Sequence, residues 1–99
     1  MTREQIIERL KALEPNLRAM GIARLQMFGS RARGDNSEDS DLDLFVRYRR
    51  PENGSALDFF GIGPDLTDEL GIETNIVADH DGIKDRHRRE IEADLVTIF

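Results

Sequence analysis

At 99 residues, with 38% apolar and 34% charged, the sequence describes one small globular domain spanning residues 1–99 with a thin margin of burial. The 14 Lys and Arg against 20 Asp and Glu leave a net charge of -6, which argues against broad adhesion to nucleic acid or to anionic membranes. With no cysteine, disulfides, a thiolate nucleophile and a zinc-thiolate site are excluded. Arg3, Glu4, Glu8 and Arg9 interrupt the opening apolar residues and no apolar run approaches the length of a bilayer, so a cytoplasmic, non-membrane protein is expected.

In chain order, Thr2 with Gln5 forms a capping box, and Ile6, Leu10, Leu13, Leu17 and Met20 recur at helical spacing. Pro15 lacks a backbone donor and crowds the preceding turn, which predicts a break near Glu14; Gly21 closes the segment. A strand over Ala23 to Phe28, with Leu25 and Met27 on one face, runs into Gly29 and Ser30. These open a turn into a short helical segment, Arg31 to Arg33, whose free N–H groups and hydroxyl suit a phosphate. Arg31 and Arg33 are either phosphate contacts or charges holding nearby acids such as Asp35, Glu38 and Asp39.

Asp41 to Val46 reads as the next strand. Its period of two puts Asp41 and Asp43 on one face, opposite Leu42 and Leu44. Paired carboxylates repel unless a positive group lies between them, and a hard cation such as Mg2+ is the natural candidate. Ser40 either orients Asp41 or serves as a turn serine. An anion cradle beside a metal platform is equipment for phosphoryl or nucleotidyl transfer.

The polar run from Arg47 to Gly54 reads as a loop, and Ser55 with Asp58 caps a second long helix with Phe59, Ile62, Leu66 and Leu70 on one side. Gly61, Gly63 and Pro64 are expected to bend or divide it, and Phe59 and Phe60 exceed what one helix stripe needs, so either both are core, the favoured reading, or one lies on an exposed patch that meets a partner. Gly71 caps the helix, and Ile72 to Ala78 forms another strand. Asp79 to Gly82 reads as a solvated turn. A last helix over Ile83 to Asp94 has a basic face, with His87 half-buried, and Leu95 to Phe99 is an apolar tail that covers the core or meets a partner.

The motif GSRARG followed by SDLDLFV resembles the signature of the nucleotidyltransferase superfamily, which includes DNA polymerase beta, and the chain's length resembles the superfamily's minimal branch. That resemblance implies an α/β fold, a small mixed sheet flanked by helices. It also implies Mg2+-dependent transfer of AMP from ATP to a protein hydroxyl. Asp41 and Asp43 would hold metal, with Gly29, Ser30, Arg33 and Ser40 around the nucleotide. Many minimal members are antitoxins paired with a small all-helical HEPN-type toxin.

One position departs from the pattern. The superfamily usually carries a third carboxylate on the later strand, where LGIETNIVA has Asn75. A neutral amide there removes general-base help, which typically contributes about a hundredfold to ten-thousandfold in rate. Glu73, two residues earlier, has the longer side chain and the same strand face. The competing reading is therefore a nucleotide-binding or toxin-binding module that neutralises its partner by contact. A weaker third, a transferase acting on a small acceptor such as an aminoglycoside, is disfavoured by the want of a second domain to close over it.

Overall fold

The computed structural model describes residues 1–99, the side chain of Ala56 apart. Helix α1 (Arg3–Ala12) starts at the Thr2 cap, where Thr2 Oγ1 accepts from the Gln5 N–H and Gln5 Oε1 accepts from the Thr2 N–H. It ends at Leu13, and α2 (Glu14–Ala19) begins anew with Pro15 in its first turn, where a missing N–H leaves no bond unmade. Strand β1 (Ile22–Phe28), a single-turn helix α3 (Ser30–Arg33) and strand β2 (Leu42–Tyr48) follow. A 3-10 turn (Ala56–Asp58) leads into α4 (Phe59–Leu70), then β3 (Thr74–Ala78), α5 (Asp85–Glu92) and β4 (Val96–Thr97).

The four strands form one mixed sheet in the order β3-β2-β1-β4. β2 runs antiparallel to β1 and parallel to β3, and β4 is antiparallel to β1. Pleating sorts the two faces. Leu25 and Met27 of β1 and Leu42, Leu44 and Val46 of β2 are buried, and they join Ile6, Leu10 and Leu17 of the first two helices and Ile62, Leu66 and Leu70 of α4 in one core. The opposite face carries Asp43, Phe45 and Arg47 of β2, with Phe28 edge-on to Phe45 and the Arg88 guanidinium of α5 6.0 Å from the Phe45 ring centre. No helix among the described residues is long and apolar enough to cross a membrane.

Several expectations are corrected. Arg47 and Tyr48 belong to β2, not to the loop after it, because Gly21 pairs with the strand's far end: the Arg49 N–H donates to Gly21 O. Gly21 sits at φ 107°, and a Cβ there would lie 2.5 Å from Arg49 O, so this close approach requires glycine. Of the two expected effects of Gly61, Gly63 and Pro64, division does not occur, since α4 passes through all three as one helix; Gly63 lies against β3, where a Cβ would stand 3.3 Å from Thr74 O. Phe60 is 71% exposed although its neighbour Phe59 packs on the core. His87 is exposed, since Ile91 alone anchors α5.

The apolar tail contains β4, a strand too short to show alternation, whose neighbour Phe99 accepts the Leu25 N–H through its carbonyl. The turn after β3 holds a charged hub rather than a solvated aspartate. The Asp79 side chain is only 7% exposed and meets Arg24 at 2.8 Å, Arg88 at 3.0 Å and Arg47 at 3.6 Å. Burial pushes the Asp79 carboxyl upward, but the Arg88 hydrogen bond and the charges of Arg88, Arg47 and Arg24 outweigh it and hold the group below the usual carboxylate range.

A depressed folded-state pKa gives stability that is fully present above the unfolded value of about 3.9 and is lost as pH falls through the folded value. Asp79→Asn is therefore expected to lower unfolding free energy by about 2 kcal/mol at neutral pH, leaving three guanidinium groups facing one another. The gap from wild type should close as pH falls below about 4, measured by urea unfolding across that range.

Candidate active site

The site forms where β1 ends and β2 and β3 begin. Asp43 is flanked in register by Phe28 on β1 and Asn75 on β3. Asp41 stands just before β2 and is exposed, while Asp43 is half-buried. Their carboxylates converge on one group: Asn75 Nδ2 donates to Asp41 Oδ2 at 3.1 Å and to Asp43 Oδ1 at 3.3 Å. The Asp43 oxygens also lie against the start of the turn. A Cβ on Gly29 would sit 2.6 Å from Asp43 Oδ2, and Gly29 itself has φ 77°, so glycine is required twice over.

Gly29 then starts α3. Its carbonyl accepts from the Ala32 and Arg33 N–H groups, which leaves the first-turn N–H groups of Ser30 and Arg31 without helical partners. The donors of the turn and the carboxylates that precede and begin β2 are thus brought together from positions 10 or more residues apart in sequence. Two hard oxygens already focused on one polarised N–H2 group fit a divalent cation, with Asp41 and Asp43 as its holders. Mg2+ bound there would neutralise phosphate charge and favour an in-line displacement. Asn75 has no basic atom to offer an acceptor. Glu73 lies outside β3, exposed, with its carbonyl accepting the Leu42 N–H.

The two arginines of the turn divide their labour. Arg33 is exposed and bonds to Asp35 Oδ2 at 3.0 Å and Asp94 Oδ2 at 2.9 Å, which raises its pKa and ties the turn to the end of α5. Arg31 is 4% exposed and holds no carboxylate. Its Nε donates to Ser40 O at 2.9 Å and one Nη to Glu38 O at 3.3 Å, so a buried guanidinium clamps the loop immediately before Asp41. Ser40 spends its hydroxyl on Ser37: Oγ accepts from the Ser37 N–H at 3.0 Å and lies 3.2 Å from Ser37 Oγ, closing that loop. Sequence reasoning left Arg31 between two roles. Its place beside the apolar Ala32 on the single turn of α3 was the available signal.

A strand-turn-helix cradle facing two carboxylates on the adjacent strand defines a protein of the nucleotide-transferring class. The nucleotidyltransferase domain model matches residues 3–98, and the chain belongs to that family. Two proteins of Methanocaldococcus jannaschii (strain ATCC 43067), both provisionally named protein adenylyltransferases, are similar to it. One is 34% identical over 78 residues, covering 78% of this chain and 76% of that protein. The other is 35% identical over 75 residues, covering 73% and 78%. A solved structure provisionally named a minimal nucleotidyltransferase matches with TM-score 0.77 at 32% identity, over 97% of this chain and 95% of that one. A toxin-antitoxin complex solved with AMP-PNP contains a chain of the same fold, TM-score 0.68 at 15% identity, over 100% of this chain and 73% of that one.

Arg31→Lys keeps the charge but cannot span both carbonyls, so the loop that delivers Asp41 should loosen. Calorimetry with Mg2+ and ATP, well below the unfolding temperature, is expected to show about tenfold weaker binding. Asn75→Asp replaces the bridging donor with a third carboxylate. Its melting temperature is expected to fall by about 3 °C or more without divalent cation and to recover with Mg2+, a recovery larger than wild type shows.

Proposed function

We propose that this domain transfers AMP from ATP to a hydroxyl of a protein acceptor, with Mg2+ held by Asp41 and Asp43, and that it acts as the antitoxin of a HEPN-type toxin-antitoxin pair. The observation that carries this reading is the convergence of the Asp41 and Asp43 oxygens at the mouth of the Gly29–Ser30 turn. The adenylyltransferase names of the similar proteins and the fold shared with a chain of a toxin-antitoxin complex support the acceptor class and the setting.

In this reading the N–H groups of Ser30 and Arg31 hold the phosphates distal to the reacting one, and Gly29 allows them to approach Asp43. The acceptor oxygen attacks the α-phosphorus, the bond to the bridging oxygen breaks, and pyrophosphate leaves with that electron pair. The hydroxyl proton passes to solvent, because Asn75 cannot take it. Arg33 and Ser40 act at one remove, by fixing the turn and the loop. A contact-only antitoxin is the second reading. It is favoured by the Asn75 amide, which occupies both carboxylates where a base would stand.

The decisive experiment follows label from α-labelled ATP with Mg2+ into protein in a lysate of the source cell. Wild type is expected to label one discrete band. Asp41→Ala and Asp43→Ala should each lower labelling by at least about a hundredfold. Partner control that survives in Asp41→Ala would instead establish neutralisation by contact.

A further inference from the structure

One edge of the sheet ends beside this site. β3 has β2 on one side and, among the described residues, no strand on the other. The ladder's phase is set by the Leu42 N–H donating to Glu73 O and the Asp79 N–H donating to Val46 O. Odd-numbered residues of β3 therefore turn their backbone groups to β2, and Thr74, Ile76 and Ala78 turn theirs outward. Helix α4 closes the first of these positions, because the Thr74 N–H donates to Thr67 Oγ1 at 3.0 Å. The N–H and C=O groups of Ile76 and Ala78 are left facing out.

The surroundings of that edge are uneven. On the α4 face, Tyr48, Phe59 and Phe60 form an edge-to-face stack with ring centres 5.0 and 5.8 Å apart, and it ends in the exposed Phe60 ring. A cleft of 230 Å³ runs beneath it past Gly63 and Ile76 to Asn75, and another of 490 Å³ runs past Ala78 to His80 and Arg50. On the opposite face the edge starts at Asn75, against the two site carboxylates, and ends at Asp79. There Arg47 is the most loosely held of three arginines, with 61% of its side chain exposed.

We propose that the free edge of β3 is the acceptor-docking surface, and that the acceptor protein presents an extended segment that pairs with Ile76 and Ala78 as an added strand. The identity of the reacting residue rests on the AMP-transfer reading; the docking does not. Strand periodicity then dictates the pattern of the segment. The residue opposite Asn75 shares its face and bears the hydroxyl. Those opposite Ile76 and Ala78 turn to the α4 face and are apolar, seated along Phe60. The residue opposite Asp79, on the reacting face about 13 Å from the hydroxyl residue, meets Arg47 and is acidic. Hydroxyl, apolar, any, apolar, acidic is therefore the recognised order, read in whichever direction the added strand runs.

The test uses the intact protein labelled with 15N and two Gly-flanked peptides, Tyr-Leu-Ser-Val-Glu and its reverse. At least one, at about 2 mM or below, is expected to shift the Ile76 and Ala78 amide signals and slow their exchange at least about tenfold. Replacing its Glu with Lys should weaken binding about tenfold, as should Phe60→Ser, which alters an exposed ring and leaves the melting temperature near that of wild type. Ala78→Pro removes an outward donor that the β2 ladder does not use and should have the same effect. Asp41→Ala should bind the peptide as wild type does. No protection at Ile76 and Ala78 from either peptide overturns the proposal, as does a dimer of this chain that occupies the edge and excludes both. Binding without AMP transfer by wild type would sink the transfer reading and leave the docking intact; transfer to the peptide without protection would do the reverse.

Discussion

The register of β2 between its two neighbours is the constraint on which the site depends. Asp43 lies opposite Phe28 in an antiparallel pair and opposite Asn75 in a parallel one. A slip of one residue in either ladder would move the carboxylates to the buried face and bring Leu42 or Leu44 out of the core. Those leucines are fully buried, so the hydrophobic pattern that stabilises the sheet also enforces the geometry of the site. Core and chemistry are specified by the same alternation.

The loop between the turn and β2 is held by a different force. A buried guanidinium with no carboxylate partner is expensive unless its donors are used, and Arg31 uses them on the carbonyls of Ser40 and Glu38. Arg3 contributes from α1 by donating to Ala32 O at 2.8 Å. Arg33 links the same turn to α5 through Asp94. The phosphate-facing end of the domain is thereby braced from three elements, while the far end of the sheet is braced by the arginines around Asp79. The domain carries its charge in local clusters of both signs, which is how a chain of net charge -6 can present N–H donors to an anion at one end.

Much of this was readable beforehand. The Thr2 and Ser55 caps, the break before Pro15 and the cap at Gly71 were legible because each rests on one residue's backbone chemistry. The pairing of Asp41 with Asp43 was legible because strand periodicity is local. Harder were features that depend on what lies across space. His87 sits at helical spacing from Ile91, yet Ile91 is buried while His87 is exposed. Phe60 differs from Phe59 only by rotation around the helix, which decides core against solvent but leaves composition unchanged. β4 has two residues, too few for any period, and exists because β1 offered it an edge.

By itself the sequence determined the order of elements as far as α5, the faces of the strands and the presence of a Gly-Ser turn upstream of two carboxylates, since all of these follow from local backbone preference and apolar spacing. Tertiary structure alone decided that Asn75 bridges Asp41 and Asp43, that Arg31 is buried as a clamp, that Asp79 gathers three arginines, and that β3 keeps a free edge beside the site. The Asn75 bridge and the Arg24–Asp79 pair join residues far apart in the chain, and all four features rest on strand order and side-chain burial, which apolar spacing alone does not encode.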